Sequence, residues 1–136
     1  MLDILEAVFR YQFDHNGASY LSPDCFFLSL AEAKDPPKDP PPALLVRFDG
    51  QIPAVEPVSV VNTADKRFNA SHVHAKGKQG KGVLLRLTNI RWIDENTVEV
   101  DGGSNCGSRC ASENTYRAER QQGKWVVVDD TLHRVS

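Results

Sequence analysis

The stretch VLLRLTNIRWIDENTVEV, residues 83–100, decides the fold of this 136-residue chain. Two runs rich in β-branched and apolar residues, 83–92 and 97–100, flank the polar residues Asp94-Glu95-Asn96. Runs of this composition on either side of a short polar cluster are typical of two strands joined by a turn. A connection this short forces the strands to run antiparallel, so the stretch predicts a β-hairpin.

Two more strand-like runs continue the hairpin, ENTYRAER at 113–120 and WVVVDD at 125–130, with Gln121-Gln122-Gly123 as a turn between them. Four consecutive strands of this kind form an antiparallel meander. Alternation along the strands predicts that one set of side chains faces a core. The predicted inward residues are Ile90, Trp92, Val98, Val100 and Tyr116. Trp92 and Trp125 are expected to anchor that core.

An amphipathic helix is predicted at the start of the chain, over residues 2–13. Leu2, Leu5, Val8 and Phe9 recur at helical spacing, and the following Asn16-Gly17 tolerates the left-handed backbone that ends a helix. The apolar stripe needs a surface to cover, and the sheet is large enough to provide one. We therefore expect a single α+β domain over residues 1–136, with the N-terminal helix packed on a curved antiparallel sheet.

Shorter elements are predicted between the helix and the meander. CFFLSLA at 25–31 favours a strand, although its length also suits a helical turn. The proline-rich loop at 34–42 cannot join a sheet interior and is expected to be a stiff surface loop rather than a ligand for a proline-recognition domain. PALLVRF at 42–48 predicts a two-turn helix with proline at its first position, and VSVV at 58–61 predicts a short strand.

Charge argues against nucleic acid as a partner. Sixteen Lys and Arg against eighteen Asp and Glu leave a formal net charge of −2, whereas phosphate binding needs a basic excess on one face. Lysines and arginines do cluster at 66–82, but that segment lacks the G-x-x-x-x-G-K-[ST] spacing of a phosphate-binding loop. A solvated hairpin loop is the favoured interpretation of the segment.

The N-terminal segment gives no indication of export or of membrane insertion. Asp3 and Glu6 stand where a signal peptide carries positive charge. No segment approaches the ~20 consecutive apolar residues that a membrane span needs. We therefore expect a soluble, cytoplasmic protein with no membrane partner.

Two cysteines, Cys106 and Cys110, lie within DGGSNCGSRCAS at 101–112. Zinc usually takes four ligands, and His72 and His74 would complete the set only if two separate loops folded side by side. A reducing cytoplasm would keep a disulfide open, and a glycine-serine loop holds a catalytic thiolate poorly. We interpret the segment as a long hairpin connection with incidental thiols, and expect no metal and no cofactor.

A longer pattern spans the meander. It reads R-W-x4-T-V-E-V-x-G-G from Arg91 to Gly103, and then N-T-Y-x3-R-x2-G-K-W-V-V from Asn114 to Val127. This resembles the C-terminal meander of small bacterial hypothetical proteins with a cystatin-like or NTF2-like α+β cone, of the kind found among mobile gene cassette products. The resemblance implies a pocket between the helix and the concave sheet, which holds a small ligand or an acid–base pair in some relatives.

Four side chains are the candidate ligand-binding residues of that implied pocket: Tyr11, Tyr116, Asp129 and His133. No residue matches a family position with a catalytic role, so no catalytic residue is assigned. We expect a non-enzymatic binding or interaction module that takes a small ligand in the helix–sheet cavity. The alternative is a small NTF2-like enzyme of hydrolase or isomerase type, with its acid–base site in the cone.

Self-association through the sheet, as a homodimer, is the expected protein partnership. Along WVVVDD, Val126 and Val128 alternate with Trp125 and Val127, so the strand is apolar on both faces and needs cover on both. Either the segment at 43–61 or a second subunit would supply that cover.

Overall fold

The computed structural model describes residues 1–15, 25–31, 35–60, 82–107 and 110–135, with the side chains of 60 and 106–110 excepted. The main elements of these described residues are one long helix, one short helix and six strands. They are α1 (Leu2–His15), β1 (Cys25–Leu30), α2 (Pro42–Leu45), β2 (Ala54–Pro57), β3 (Gly82–Asp94), β4 (Thr97–Gly107), β5 (Cys110–Gln121) and β6 (Lys124–Val135). Short 3-10 turns follow α2 at Val46–Phe48 and β2 at Val58–Val60.

The six strands form one mixed sheet in the order β2-β1-β3-β4-β5-β6. From β3 to β6 every pair is antiparallel, which confirms the predicted meander. The expectation of a wholly antiparallel sheet is wrong at β1, which runs parallel to both β2 and β3. Parallel neighbours need long connections, and long stretches of chain separate β1 from each of these strands.

Helix α1 packs on one face of this sheet, as its apolar stripe predicts. Its inward side chains are almost completely buried: Ile4, Leu5, Val8, Phe9 and Phe13. The sheet contributes Leu85, Leu87, Val98, Val100 and Tyr116 to the same core. Burying a side chain of this size is worth roughly 1.5–3 kcal/mol, so the helix is held mainly by this contact. The fold is α+β, with the N-terminal helix on a mostly antiparallel sheet.

Trp92 does not anchor the core, contrary to the sequence-based expectation. Val98, Val100 and Tyr116 are buried as predicted, whereas Trp92 is 53% exposed. The ring stands beside a register shift next to the β3–β4 turn, at the end of the hairpin. It contacts the half-buried Trp125 edge-on, with 5.8 Å between ring centroids. The two tryptophans therefore share a face, but at the margin of the core.

The elements between α1 and the meander differ in part from the predictions. The strand at Cys25–Leu30 is confirmed, and PALLVRF forms one α-helical turn continued by a 3-10 turn. The predicted strand at 58–61 is wrong, because Val58–Val60 is a 3-10 turn and the strand is Ala54–Pro57. Pro57 has no N–H to give to a ladder, which suits it to a strand end.

The proline-rich segment (residues 35–41) has no helix or strand and lies against β1. The backbone N–H of Leu30 donates to the carbonyl of Lys38 at 2.8 Å. The N–H of Lys38 in turn donates to the Ser29 hydroxyl at 3.1 Å. These bonds hold the segment beside the sheet.

The prediction that the glycine-rich segment at 101–112 is a long hairpin connection is wrong. Strands β4 and β5 pair through it as far as Gly107 opposite Cys110. The Ser104 and Ser112 hydroxyls hydrogen-bond across the ladder at 2.9 Å. Outside the described residues lie the thiol side chains of Cys106 and Cys110. The same is true of the predicted basic segment at 66–82, except for its last residue. Among the described helices, none is long and apolar enough to cross a membrane.

Candidate functional site

A cavity of about 570 Å³ lies on the sheet face turned away from α1. Asp101 and Thr115 line it. Asp101 follows the core residue Val100 in β4, and Thr115 precedes the core residue Tyr116 in β5. Successive side chains of a strand point to opposite faces, so these polar groups alternate away from the helix. Asp35 and Pro37 of the proline-rich segment form one wall. The cavity is therefore bounded by the sheet and by that segment.

A row of hydrogen bonds runs across the sheet from β3 to β6, and three of its members, Asp101, Thr115 and His133, line the cavity. Arg91 binds both carboxylate oxygens of Asp101, with Nη1–Oδ2 at 2.6 Å and Nη2–Oδ1 at 2.8 Å. The Thr115 hydroxyl donates to Asp101 Oδ1 at 2.8 Å. The same hydroxyl lies 2.7 Å from Nε2 of His133. Neighbouring strands thus hold four polar side chains in a fixed order, Arg91, Asp101, Thr115 and His133.

Asp101 is ionised at neutral pH. The hydrogen bond from Arg91 is the largest influence and lowers the pKa of Asp101 to about 2; partial burial opposes this, and bonds from Thr115 and Asn89 assist it. Hydrogen bonds to a carboxylate favour its charged form. The carboxylate therefore acts as an acceptor in the row.

The ionised Asp101 determines how the Thr115 hydroxyl and the His133 ring share protons. A hydroxyl has one proton, and here it goes to Asp101. Nε2 of His133 must then carry the hydrogen that it gives to the Thr115 oxygen. We infer this tautomer from the hydrogen-bond network. In the neutral ring, Nδ1 is left with its lone pair, so His133 offers an acceptor at the cavity.

Two adjacent glycines of β4, Gly102 and Gly103, lie where neighbouring backbones come close. A side chain at Gly102 would collide with the carbonyl oxygen of Arg86, and one at Gly103 with the carbonyl oxygen of Ser112. A Cβ at Gly103 would also lie 3.1 Å from the Arg86 guanidinium, which lines the cavity. The glycine pair therefore lets neighbouring backbones approach and leaves room for Arg86, whose guanidinium is 3.9 Å from the Glu113 carboxylate.

Gln12 of α1 reaches the same part of the sheet from the opposite face. It is fully buried, and its Nε2 is 3.3 Å from the carbonyl oxygens of Arg86 and Gly103 and 3.1 Å from the Tyr116 hydroxyl. Sequence reasoning missed this residue. The available signal was a glutamine among the apolar helix positions Val8, Phe9 and Phe13, in a chain with a glycine pair in its sheet.

The four predicted ligand-binding residues do not form one site. Tyr11 and Tyr116 do meet at the helix–sheet interface, edge-on, with 5.7 Å between ring centroids. Asp129 is exposed opposite Arg117, and His133 is bonded to Thr115 in the cavity on the other face. The predicted set is therefore split between the two faces of the sheet.

Two register shifts in β6 explain this split. The first shift lies between the pairs Ala118–Val127 and Arg117–Asp129. The second lies just beyond the pair Asn114–Leu132, towards the end of β6. An extra residue in one strand changes which side chain reaches each face. As a result Asp130, rather than Asp129, contacts the interface.

The contact with Asp130 affects the pKa of Tyr11. Burial is the largest influence that raises the pKa of Tyr11, followed by the charge of Asp130 and a hydrogen bond to it. Asn114 also donates to Asp130, at 2.7 Å. Asp130 therefore completes a polar cluster with the two tyrosines.

The space between α1 and the sheet is occupied by the core. Phe13 stacks on Phe26 with 4.6 Å between ring centroids, and Phe48 meets Phe9 and Phe13 edge-on. The implied helix–sheet pocket is therefore filled where these rings lie, and the cavity is on the opposite face. Within the described residues, no group of three or more His, Cys, Asp or Glu is placed to hold a metal ion.

Comparison with known proteins finds no matching family model, no matching curated protein and no matching solved structure. The resemblance to cystatin-like and NTF2-like proteins stays a prediction.

Proposed function

We propose that this protein is a binding module for a small polar molecule, held in the cavity away from α1. The observation that carries the proposal is the row Arg91–Asp101–Thr115–His133, in which Arg91 holds Asp101 and the other three side chains line the cavity in fixed positions. Ligand sites typically have volumes of about 300–1,000 Å³ and a few placed polar groups. The cavity, at about 570 Å³, falls within that range.

The lining favours a ligand that donates hydrogen bonds. Among the described lining residues, Asp35 and Glu113 present carboxylates and Nδ1 of His133 adds an acceptor, against one guanidinium, that of Arg86. Ala31, Pro37 and Leu84 supply an apolar part of the lining. A small amine or polyhydroxy compound with one carbon-rich face matches this mixture of acceptors and apolar surface.

A screen of small amines and polyols by two-dimensional NMR tests the proposal. We expect a binding compound to shift the amide signals of Asp101, Thr115 and their neighbours. His133→Ala should weaken binding by roughly tenfold, since it removes a polar contact and the Thr115 bond. His15→Ala is the matched control, because His15 stacks on Tyr11 at the helix end. Shifts confined to the Tyr11–Tyr116 interface, or none in the panel, would contradict the proposal.

An acid–base enzyme is the second candidate, favoured by the way His133 is held. A general base needs a fixed orientation and an available lone pair, and the Thr115 bond to Nε2 provides both for Nδ1. Model ester hydrolysis that is lost in His133→Ala and retained in His15→Ala would favour this candidate. Equal background rates in the wild type and both variants would leave binding as the function.

We also propose the cystatin-like or NTF2-like assignment for α1 with β3–β6. It is supported by one long helix lying on an antiparallel meander of four strands. The parallel pairs of β1 depart from a purely antiparallel cone and are outside this assignment. An experimental structure with a flat sheet, or with α1 away from the meander, would contradict it.

A further inference from the structure

The bond between His133 and Thr115 determines where the imidazole ring can take up a proton from solvent. Nε2 already carries the hydrogen that it donates to the Thr115 hydroxyl oxygen, across 2.7 Å. A second proton is therefore added at Nδ1, and both nitrogens of the charged ring are donors. Protonation changes Nδ1 from an acceptor to a donor and leaves the bond to Thr115 in place.

Asp101 keeps this hydrogen-bond pattern in both charge states of the ring. The bond from Arg91 is the largest influence that lowers the pKa of Asp101 to about 2, so the carboxylate stays ionised in mild acid. It continues to accept the only proton of the Thr115 hydroxyl, at 2.8 Å. The row therefore holds the neutral and the charged ring by the same bonds.

Other charged groups surround the cavity that His133 lines, and they come from four elements. They are Asp35 of the proline-rich segment, Arg86 of β3, Asp101 of β4 with its partner Arg91, and Glu113 of β5. Carboxyl groups ordinarily take up a proton at about pH 4 and guanidinium groups lose one above about pH 12, whereas histidine has an ordinary pKa of about 6.5. Between about pH 5.5 and about pH 8, histidine is the residue type in the described lining whose charge changes.

We propose that protonation of His133 shifts the preference of the cavity from ligands that donate hydrogen bonds to ligands that accept them. At neutral and alkaline pH, Nδ1 accepts from an ammonium or hydroxyl group. In mild acid the same nitrogen repels an ammonium group and donates to an anion. The apolar part of the lining, Ala31, Pro37 and Leu84, is the same in both states. The inference rests on the proposed function and assigns the pH dependence of that binding.

Two probes with the same hydrocarbon ring and opposite headgroups test the proposal, cyclohexylamine and cyclohexanesulfonate. Both keep their charge between about pH 5.5 and about pH 8, so a change in affinity arises from the protein. Two-dimensional NMR titrations of the full chain give each dissociation constant from the amide signals of Thr115 and its neighbours. For cyclohexylamine the constant should rise roughly tenfold from pH 8 to pH 5.5, because a cationic donor replaces an acceptor. For cyclohexanesulfonate it should fall by a similar factor.

His133→Gln separates this histidine from other groups that titrate. Glutamine is polar and has no charge to gain, so both dissociation constants should stay within about twofold across the same pH interval. His15→Ala is the matched control and should keep the tenfold changes, because His15 stacks on Tyr11 at the end of α1.

The outcomes distinguish this inference from the proposed function. Binding at the cavity with the same affinity at both pH values would overturn the inference and leave the binding role standing. Full pH dependence in His133→Gln would do the same. If neither probe shifts the cavity signals at either pH, the binding role fails and the inference fails with it.

Nitrogen-15 NMR of the imidazole tests the proton's position without a ligand. During an acid titration of the wild type, Nε2 of His133 should stay protonated throughout, while Nδ1 changes from unprotonated to protonated. A titration in which Nε2 is the nitrogen that gains the proton would overturn the inference.

Discussion

The side-chain amide of Gln12 donates to the main-chain carbonyl of Gly103, with 3.3 Å between Nε2 and the oxygen. The Arg86 carbonyl is equally close to the same nitrogen. The opposite amide orientation would set oxygen against two carbonyl oxygens, so these contacts fix how the side chain points. One buried glutamine therefore ties α1 to the strands that carry the cavity.

Gln12→Leu should lower the free energy of unfolding by about 1–3 kcal/mol, since two buried carbonyls lose a donor. Chemical denaturation measures the effect. Gln121→Leu, at an exposed position beside the β5–β6 turn, is the matched control and should change stability by less than about 0.5 kcal/mol. Equal effects of the two substitutions would show that the Gln12 bonds contribute nothing.

Asp101 should make stability depend on acid pH. Its pKa is about 2 in the folded protein, below the ordinary 3.8, so folding favours the ionised carboxylate. The resulting stabilisation is fully present above pH 3.8 and is lost as pH falls towards 2. The side chain is 28% exposed, and solvent screening leaves about 1–2 kcal/mol.

Asp101→Asn should remove that contribution, so that its stability falls less steeply than that of the wild type between pH 4 and pH 2. Thermal melts across this pH interval measure the slope. Asp49→Asn, at an exposed aspartate after the 3-10 turn of Val46–Phe48, should keep the wild-type slope. A parallel curve for Asp101→Asn would mean that Arg91 does not stabilise this carboxylate.

Thr115→Val should release the His133 ring from its fixed tautomer. In the wild type, the hydrogen lies on Nε2 because the Thr115 hydroxyl gives its only proton to Asp101. Nitrogen-15 NMR of the imidazole distinguishes the two neutral tautomers at alkaline pH. We expect predominantly Nε2–H in the wild type and a mixture in the variant. Predominant Nδ1–H in the wild type would contradict the hydrogen-bond assignment.

Removal of aromatic rings should reveal the true core. Phe26→Ala should lower the free energy of unfolding by about 3–5 kcal/mol, because Phe26 is completely buried and stacked on Phe13. Trp92→Ala should lower it by less than about 1.5 kcal/mol, since more than half of the side chain is already exposed. Denaturation midpoints rank the two variants. A larger loss for Trp92→Ala would restore the tryptophan as the core anchor.

The elements with regular periodicity could be predicted from the sequence. The helix at Leu2–His15 and the strands around Val98, Val100 and Tyr116 follow spacings that depend only on neighbouring residues. The parallel pairing of β1 could not be predicted in that way, because it joins distant segments. The apolar run at 25–30 indicates a buried strand without indicating its neighbours.

The candidate site was harder to predict than the fold, because it depends on single-residue irregularities. A single extra residue in β6 exchanges the roles of Asp129 and Asp130, and periodicity alone does not reveal such a bulge. The position of the cavity depends on where Asp35 and Pro37 cross the sheet. His133 was identified from its residue type, but its partner Thr115 was not, since the bond between β5 and β6 follows from their register.

The parallel pairing of β1 has a consequence for synthesis of the chain on the ribosome. Leu28 is completely buried, and its ladder partner in β3 is Leu85. At about 5–20 residues per second, translation delivers that partner several seconds after Leu28 itself. Until then α1 and the Phe26–Leu28 run have no meander to pack on, whereas β3–β6 can pair soon after each strand emerges. The nascent chain therefore exposes the apolar residues of β1 for several seconds before the strand that buries them has been made.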